Sequence, residues 1–168
     1  LGALWSIGSK ATSYSPSESR STGIYNIHHQ LLNTKDHGIP QNRPRWYCVG
    51  IRKDLPSQQQ FVFPEKIDCP SIDDLLDPRA RVGLPVLGRT AFTNVNRARS
   101  KILAEGYCPD QNTYIVDCDA SLARSRHVYD LSPCITRSRH NGHWITSQNR
   151  RMNKAEMFRL QGMDPTKF

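Results

Sequence analysis

The side chains best suited to chemistry lie in a short polar segment that leads into an apolar run. Gln41, Arg43 and Arg45 alternate along the chain, directly before the strand-like residues 46–51. Residues i and i+2 of an extended segment share a face, so one edge can aim an amide and two guanidinium groups in the same direction. Guanidinium groups suit phosphate oxygens and base edges. The segment therefore predicts a rigid edge that aims three hydrogen-bond donors in one direction.

The charge of the chain favours the same class of partner. The sequence contains 16 arginines and 7 lysines and has a formal net charge of +8, with an isoelectric point near 9.5. This balance indicates a polyanion, and its excess of arginine favours nucleic acid over a membrane surface. No apolar run approaches the roughly 20 residues of a membrane span, and no signal peptide is recognisable. We therefore expect a soluble, intracellular protein.

Arginines recur in pairs with one residue between them, which lets each pair straddle successive phosphates. The pairs are Arg43/Arg45, Arg79/Arg81, Arg97/Arg99, Arg124/Arg126 and Arg137/Arg139. Residues 121–151 hold six arginines and three histidines but one acid, Asp130. We predict that this stretch is the nucleic-acid surface, and the alternative is an ordinary solvated surface.

Two strands are needed to position the Gln41 segment. Residues 23–32 and 45–52 have strand-like content, and Asp36, Gly38 and Pro40 between them supply turn residues. We predict a hairpin over residues 23–52. Six prolines then divide residues 53–119, which predicts short pieces with one helix around residues 97–105.

Near the end of the chain, a helix is predicted over residues 154–161. Asn153 can cap it, Glu156 stands three residues later as in a capping box, and Gly162 can close it. Short strands are predicted at residues 114–116 and 127–131.

These motifs together resemble one enzyme family. The run Leu-Asn-Thr-Lys-Asp-His-Gly-Ile-Pro-Gln-Asn-Arg-Pro-Arg, residues 32–45, resembles the segment of DNA cytosine-5 methyltransferases that lies beside the flipped-out cytosine. Thr136 resembles the threonine that ends the family's target recognition domain, although Arg137 stands where leucine is usual. Glu156 and the Leu-Gln-Gly at 160–162 resemble the element that organises that domain, although Ala155 replaces its usual arginine.

The resemblance implies a role for each matching residue. Arg45 would reach the flipped cytosine or its phosphate, Arg43 would hold the geometry of an active-site carboxylate, and Gln41 would brace the loop. Thr136 would grip the phosphate next to the flipped base. With Arg124, Arg126, Arg137 and Arg139 as further DNA contacts, these residues are the predicted site.

The resemblance also implies groups that the sequence lacks. The family attacks cytosine with the thiolate of a Pro-Cys-Gln loop, uses the carboxylate of a Glu-Asn-Val segment and takes its methyl group from S-adenosylmethionine. Pro133-Cys134-Ile135 and Thr93-Asn94-Val95 do not replace these motifs, and no glycine-rich cofactor turn is present. Because covalent catalysis needs an activated cysteine, we expect this chain alone to be inactive.

The predicted fold class is α/β. It is the C-terminal part of a Rossmann-like, S-adenosylmethionine-dependent methyltransferase with a small, mostly β or irregular target recognition domain. We expect residues 1–52 to end the catalytic domain, residues 53–150 to form the recognition domain, and residues 151–168 to lead back. The predicted partners are double-stranded DNA and a second chain or segment that carries the N-terminal catalytic half, since Leu1 in place of Met suggests a start in mid-protein.

Other readings remain open. The chain can be a non-catalytic nucleic-acid-binding module or the recognition subunit of a split methyltransferase. The tRNA-methylating branch of the family is less favoured because its Cys-Phe-Thr is missing, the nearest match being Ala91-Phe92-Thr93. A metal site is set aside, because His140, His143 and the scattered cysteines match no standard ligand spacing. We expect action in the nucleus of a eukaryote, or in the cytoplasm or nucleoid of a bacterium or phage.

Overall fold

A computed structural model describes residues 23–54, 61–78 and 87–167. Residues 1–22, the first part of the segment expected to end the catalytic domain, and the pair Arg79/Arg81 lie outside these residues. Two compact units are distinguished, one comprising residues 1–32 and 44–65, the other residues 33–43 and 66–168, and each is described by itself. The described part mixes strands and helices. It contains no helix long and apolar enough to cross a membrane.

The first unit is built on two long strands. Strand β1 spans Tyr25–Asn33 and strand β3 spans Pro44–Arg52, and they pair with each other. The end of β3 lies beside the start of β1, where Lys53 N donates to Ile24 O at 2.9 Å. The predicted hairpin is confirmed, and its β-branched and aromatic residues explain why it forms.

The second unit contains the remaining elements. In chain order they are β2 Gln41–Asn42, α1 Arg89–Ala104, β4 Tyr114–Val116, β5 His127–Tyr129, β6 Ser132–Pro133, β7 Trp144–Ile145, β8 Arg150–Arg151 and α2 Lys154–Arg159. Strands β5, β4, β7 and β8 form an antiparallel sheet in that order, and β2 pairs in parallel with β6. The strands predicted at 114–116 and from 127 are confirmed. The second ends at Tyr129, because Asp130 takes a positive φ of 51°.

The sheet separates two apolar clusters because neighbouring residues of a strand face opposite sides. Ile115 pairs with Ile145, and both pack into a core that includes Leu160 of the chain's end. Val116 pairs with Trp144, and both pack on the other side against α1. The larger unit therefore has a layered core of its own.

Helix α1 corrects the prediction for this stretch. A helix was expected around residues 97–105 and only short pieces elsewhere, whereas α1 runs for 16 residues from Arg89. Residues 86–108 are free of proline, and Gly88 offers no capping side chain that could have announced the start. Ala91, Val95, Ala98 and Ile102 are buried at helical spacing, so packing on the sheet stabilises the first two turns.

Helix α2 confirms its capping prediction. The Asn153 side chain accepts from Glu156 N, and the Glu156 side chain accepts from Asn153 N, both at 2.8 Å. Gly162 follows with a φ of 73°, which glycine adopts without strain.

Glu156 also belongs to a buried ion pair that joins three segments. Its carboxylate accepts from Arg150 at 2.6 and 2.8 Å and from Asp77 N at 2.8 Å. The side chains of Arg150 and Glu156 are 3% and 0% exposed. The pair fixes β8, the start of α2 and the segment before Asp77 to one another.

We predict that Gly142→Ala destabilises the protein more than Gly106→Ala does. Both glycines have positive φ, 78° and 86°, and this conformation costs a residue with a Cβ about 1–2 kcal/mol. A Cβ at Gly142 would also lie 2.3 Å from Met152 O, whereas nothing lies within 4 Å of one at Gly106. Urea unfolding of both variants measures the difference, and equal losses would contradict the predicted clash.

Candidate nucleic-acid interface

The turn that carries Gln41 and Arg43 is held by hydrogen bonds from three sides. Asn33 Oδ1 accepts from Arg43 N at 2.8 Å, and Thr34 Oγ1 donates to Gln41 O at 2.5 Å. Ser132 N donates to Pro40 O at 2.8 Å, next to the pairing of β2 with β6. The backbone at this block is therefore rigid.

The side chains of the block differ in their surroundings. Gln41 is fully buried, and neither atom of its amide has a hydrogen-bond partner among the described residues. The Arg43 guanidinium donates from Nη1 to Gln161 Oε1 at 2.5 Å. The structure thus joins two motifs that are 118 residues apart in the sequence.

Arg45 lies in the two-stranded unit, whereas Gln41 and Arg43 belong to the larger unit. Its side chain is exposed on β3, and its Nη1 donates to Pro44 O at 2.8 Å. Within the larger unit the structure therefore groups Gln41 and Arg43 with Gln161.

Strand directions bring three segments to one end of the four-stranded sheet. Because Val116 pairs with Trp144, and Trp144 with Arg151, the loop after β4, the loop before β7 and the end of β8 meet there. We call residues 117–126, residues 136–143 and Arg151 the loop end.

Two ion pairs fix the loop end. Arg139 Nε donates to Asp117 Oδ1 at 2.5 Å. The Arg151 guanidinium forms two hydrogen bonds with Asp119, at 2.7 and 2.8 Å, and another with Gly142 O. Arg151 lowers the pKa of the Asp119 carboxyl. These carboxylates fix loops that would otherwise be held by short strands alone.

The other arginines of the loop end point outward. Arg124, Arg126 and Arg137 are exposed, and no hydrogen-bond or ion-pair partner is found for their guanidinium groups among the described residues. Thr136 is also exposed, with its hydroxyl 3.1 Å from Ser138 Oγ. Arg139 differs from these residues because Asp117 holds it.

Helix α1 supports the loop that carries Arg124 and Arg126. Asn94 Nδ2 donates to Cys118 O and to Ala120 O, each at 2.8 Å, and Arg97 Nη1 donates to Leu122 O at 2.8 Å. The long helix therefore presents this loop on a rigid base.

His143 is a buried residue of the loop end. It is 1% exposed, and burial lowers its pKa, although Asp117 at 3.8 Å acts in the opposite direction. His140 of the same loop is exposed. No group of three metal-binding side chains occurs in the described ranges.

Cys118 has the properties of a structural thiol. It is 1% exposed, and burial raises its pKa to about 11, so it stays protonated at neutral pH and is a poor nucleophile.

A groove of about 650 Å³ lies at the start of α1. Its lining includes the ion pair of Arg151 and Asp119, together with Arg89, Thr90 and Asn141. Because Asp119 neutralises Arg151, the lining keeps only the charge of Arg89 in excess, and no step of methyl transfer is assigned to the groove.

Sequence reasoning missed the acids that organise the loop end. Asp117 and Asp119 precede the arginine-rich stretch, and their arginine partners stand 22 and 32 residues later. No local spacing announces such pairs, since strand pairing alone brings them together. The available signal in the sequence was that two single acids stand just before an arginine-rich stretch, where arginine partners are plentiful.

Comparison with known proteins identifies the family. The family model described as C-5 cytosine-specific DNA methylase matches residues 16–168. The chain therefore belongs to the C-5 cytosine-specific DNA methylase family, which implies a Rossmann-like methyltransferase fold and the use of S-adenosylmethionine.

Individual relatives agree with this assignment. The type II methyltransferase M.HhaI of Haemophilus parahaemolyticus is 36% identical over 74 residues, 44% of this chain and 22% of the relative. M2.ScrFI of Lactococcus lactis subsp. cremoris is 26% identical over 151 residues, 86% of this chain and 36% of the relative. The type II methyltransferase M.MthTI of Methanothermobacter thermautotrophicus is 38% identical over 60 residues, which are 33% of this chain and 18% of the relative. The chain thus spans between 18% and 36% of the length of these three relatives.

We predict that Asp119→Asn destabilises the protein in a pH-dependent way. Arg151 lowers the pKa of Asp119, so its stabilisation is complete above the ordinary aspartate pKa of about 3.9. It is lost as the pH falls through the lower pKa of the folded state. Unfolding curves between neutral and acidic pH measure this, and wild type and variant should converge at the acidic end.

Asp110→Asn is the control, because its pair with Arg99 has a 60% exposed carboxylate and is screened by solvent. An Asp119→Asn effect that does not diminish in acid would rule out the ion pair as its source.

Proposed function

We propose that this chain supplies the base-holding and DNA-recognition part of a DNA cytosine-5 methyltransferase. Residues 23–52 would provide the last strands of the catalytic domain, residues 53–150 the target recognition domain, and residues 151–168 the return to the catalytic domain. The family match over residues 16–168 supports the reaction class. The relatives named as type II methyltransferases support DNA as the substrate, and action inside the cell follows from that substrate.

The outward arginines of the loop end carry the proposal. Arg124, Arg126 and Arg137 are exposed, while Asp117 and Asp119 occupy their neighbours Arg139 and Arg151. The two carboxylates neutralise the arginines that hold the loops, and the exposed arginines keep their charge on a rigid loop. Such an arrangement suits a polyanion of fixed geometry such as duplex DNA. Arg139, which is paired with Asp117, would then contribute to DNA binding by fixing the conformation of the loop.

The reaction requires the target base to leave the helix. C5 and C6 of cytosine must meet the reacting groups face-on, and this is impossible inside the base stack. By the family resemblance, Arg45 reaches the flipped cytosine or its phosphate, Thr136 grips the neighbouring phosphate and Gln41 braces the loop.

The nucleophile and the methyl donor are proposed to come with a catalytic part that carries the Pro-Cys-Gln and Glu-Asn-Val motifs, in the same polypeptide or in a second chain. This assignment agrees with the high pKa of Cys118. Methyl transfer from labelled S-adenosylmethionine to DNA should require that part. Transfer by these 168 residues alone would contradict the assignment.

We predict that Arg124→Ala/Arg126→Ala reduces the salt dependence of DNA binding. Each lost phosphate contact lowers the slope of log K against log salt concentration by about 0.9, so the double variant should lose about one to two units. Fluorescence anisotropy of a labelled duplex at several salt concentrations measures the slope. Arg99→Ala is the control, since Arg99 is paired with Asp110, and an unchanged slope in the double variant would remove these arginines from the interface.

We predict that Arg45→Ala abolishes the preference for an extrahelical target. A flipping enzyme binds a duplex with a mismatched or abasic target position more tightly, because less energy is spent on unpairing. The variant should lose this advantage while binding to an intact duplex changes little. Competition binding with the two duplexes measures it.

Arg52→Ala is the matched control, because Arg52 is exposed on the same strand and paired with Asp54. A uniform loss for both duplexes in Arg45→Ala would instead favour a non-catalytic nucleic-acid-binding module.

A further inference from the structure

The guanidinium of Arg43 is held by an uncharged acceptor. Its Nη1 donates to the amide oxygen of Gln161 at 2.5 Å. The other buried or half-buried arginines of the described ranges each contact a carboxylate: Arg99, Arg139, Arg150, Arg151 and Arg159. Arg43 has no such partner among the described residues, so its charge is oriented without being neutralised.

The orientation of the Gln161 amide follows from the chemistry of its partner. A guanidinium has only donors, so the oxygen of the amide must face Arg43 and its nitrogen must point away. That nitrogen is buried and has no partner in the described part of the chain. Gln41 lies two residues before Arg43, and both polar atoms of its side-chain amide are also buried without a hydrogen-bond partner in the described part of the chain. Because an unpaired buried polar atom is costly, this region is suited to receive polar groups of another segment.

The position of Gln161 is set by its neighbours in the chain. Leu160 is 1% exposed and packs in the core, and Ile39 packs against the same core. Gly162 has a φ of 73°, and a Cβ there would lie 3.3 Å from Ile39 Cδ1. The end of α2 therefore lies against the turn before Gln41, and this contact lets Gln161 reach Arg43.

We propose that Gln161 is a positioning residue for Arg43. Its amide oxygen orients the guanidinium of Arg43 towards a carboxylate in the site of methyl transfer and leaves the charge of the guanidinium intact. This inference rests on the proposed function, and the carboxylate would belong to the catalytic part. A carboxylate suits the place better than a DNA phosphate. Arg43 is half-buried, its backbone is held by Asn33, and the exposed arginines of the loop end are better placed for the DNA backbone.

Gln161→Glu tests the proposal, because it keeps the shape and the hydrogen bond but neutralises the charge of Arg43. In the complete methyltransferase, with this chain and its catalytic part, we predict that kcat falls about 10- to 100-fold. The Kd for duplex DNA should stay within about twofold, since binding by the loop end is untouched. The Tm should be unchanged or higher, because an ion pair replaces a neutral hydrogen bond.

Gln148→Glu is the matched control. Gln148 Oε1 also accepts from an arginine, Arg150, at 2.8 Å, but that arginine is already paired with Glu156. The same substitution there should leave kcat unchanged. A purely structural role of Gln161 predicts that both variants keep their activity.

The outcomes separate the two proposals. An active wild type with an equally active Gln161→Glu variant overturns the role of Gln161 alone. A variant with unchanged kcat but weaker DNA binding and a smaller salt slope assigns Arg43 to a phosphate and also overturns it. A complete wild-type protein that transfers no methyl group to DNA overturns the proposed function, and with it this inference.

Discussion

The buried pair of Arg150 and Glu156 is the interaction on which the larger unit depends. Glu156 accepts from Arg150, from Asp77 N and from Asn153 N, so a single carboxylate holds three segments and caps α2. Removing one partner of such a pair leaves a buried charge and costs about 3–5 kcal/mol. Since α2 leads directly to Gln161, the geometry at Arg43 depends on this pair as well.

Carboxylates sort the arginines of this chain into two groups. Asp77, Asp117, Asp119 and Glu156 hold arginines that shape the unit, whereas Arg124, Arg126 and Arg137 of the loop end are exposed. The positive charges that make up the net charge of +8 are therefore not equivalent, because some are paired with carboxylates and others are exposed. The neutral contact of Gln161 with Arg43 makes a third kind of environment, in which an arginine is oriented but keeps its charge.

Local signals explain which elements were predicted correctly. The hairpin and the capping box depend on residues a few positions apart, namely turn residues around Gly38 and the Asn153/Glu156 pair. The early start of α1 was missed because Gly88 provides no cap and the burial of Ala91 and Val95 depends on Trp144 and Val116 across the sheet. Arg139 was predicted as a DNA contact from charge alone, and its partner Asp117 became visible only through the pairing of β4 with β7.

The sequence by itself determined the family and the basic net charge, because these depend on residue types and their order along the chain. It also contained both halves of the contact between Arg43 and Gln161, but no sign that they meet. Only the tertiary structure decided which arginines are paired and which are exposed, and that the Leu-Gln-Gly element contacts the Gln-Asn-Arg block. The physical reason is that charge pairing and burial depend on distances in space, and these are set by strand register and helix packing between residues far apart in the chain.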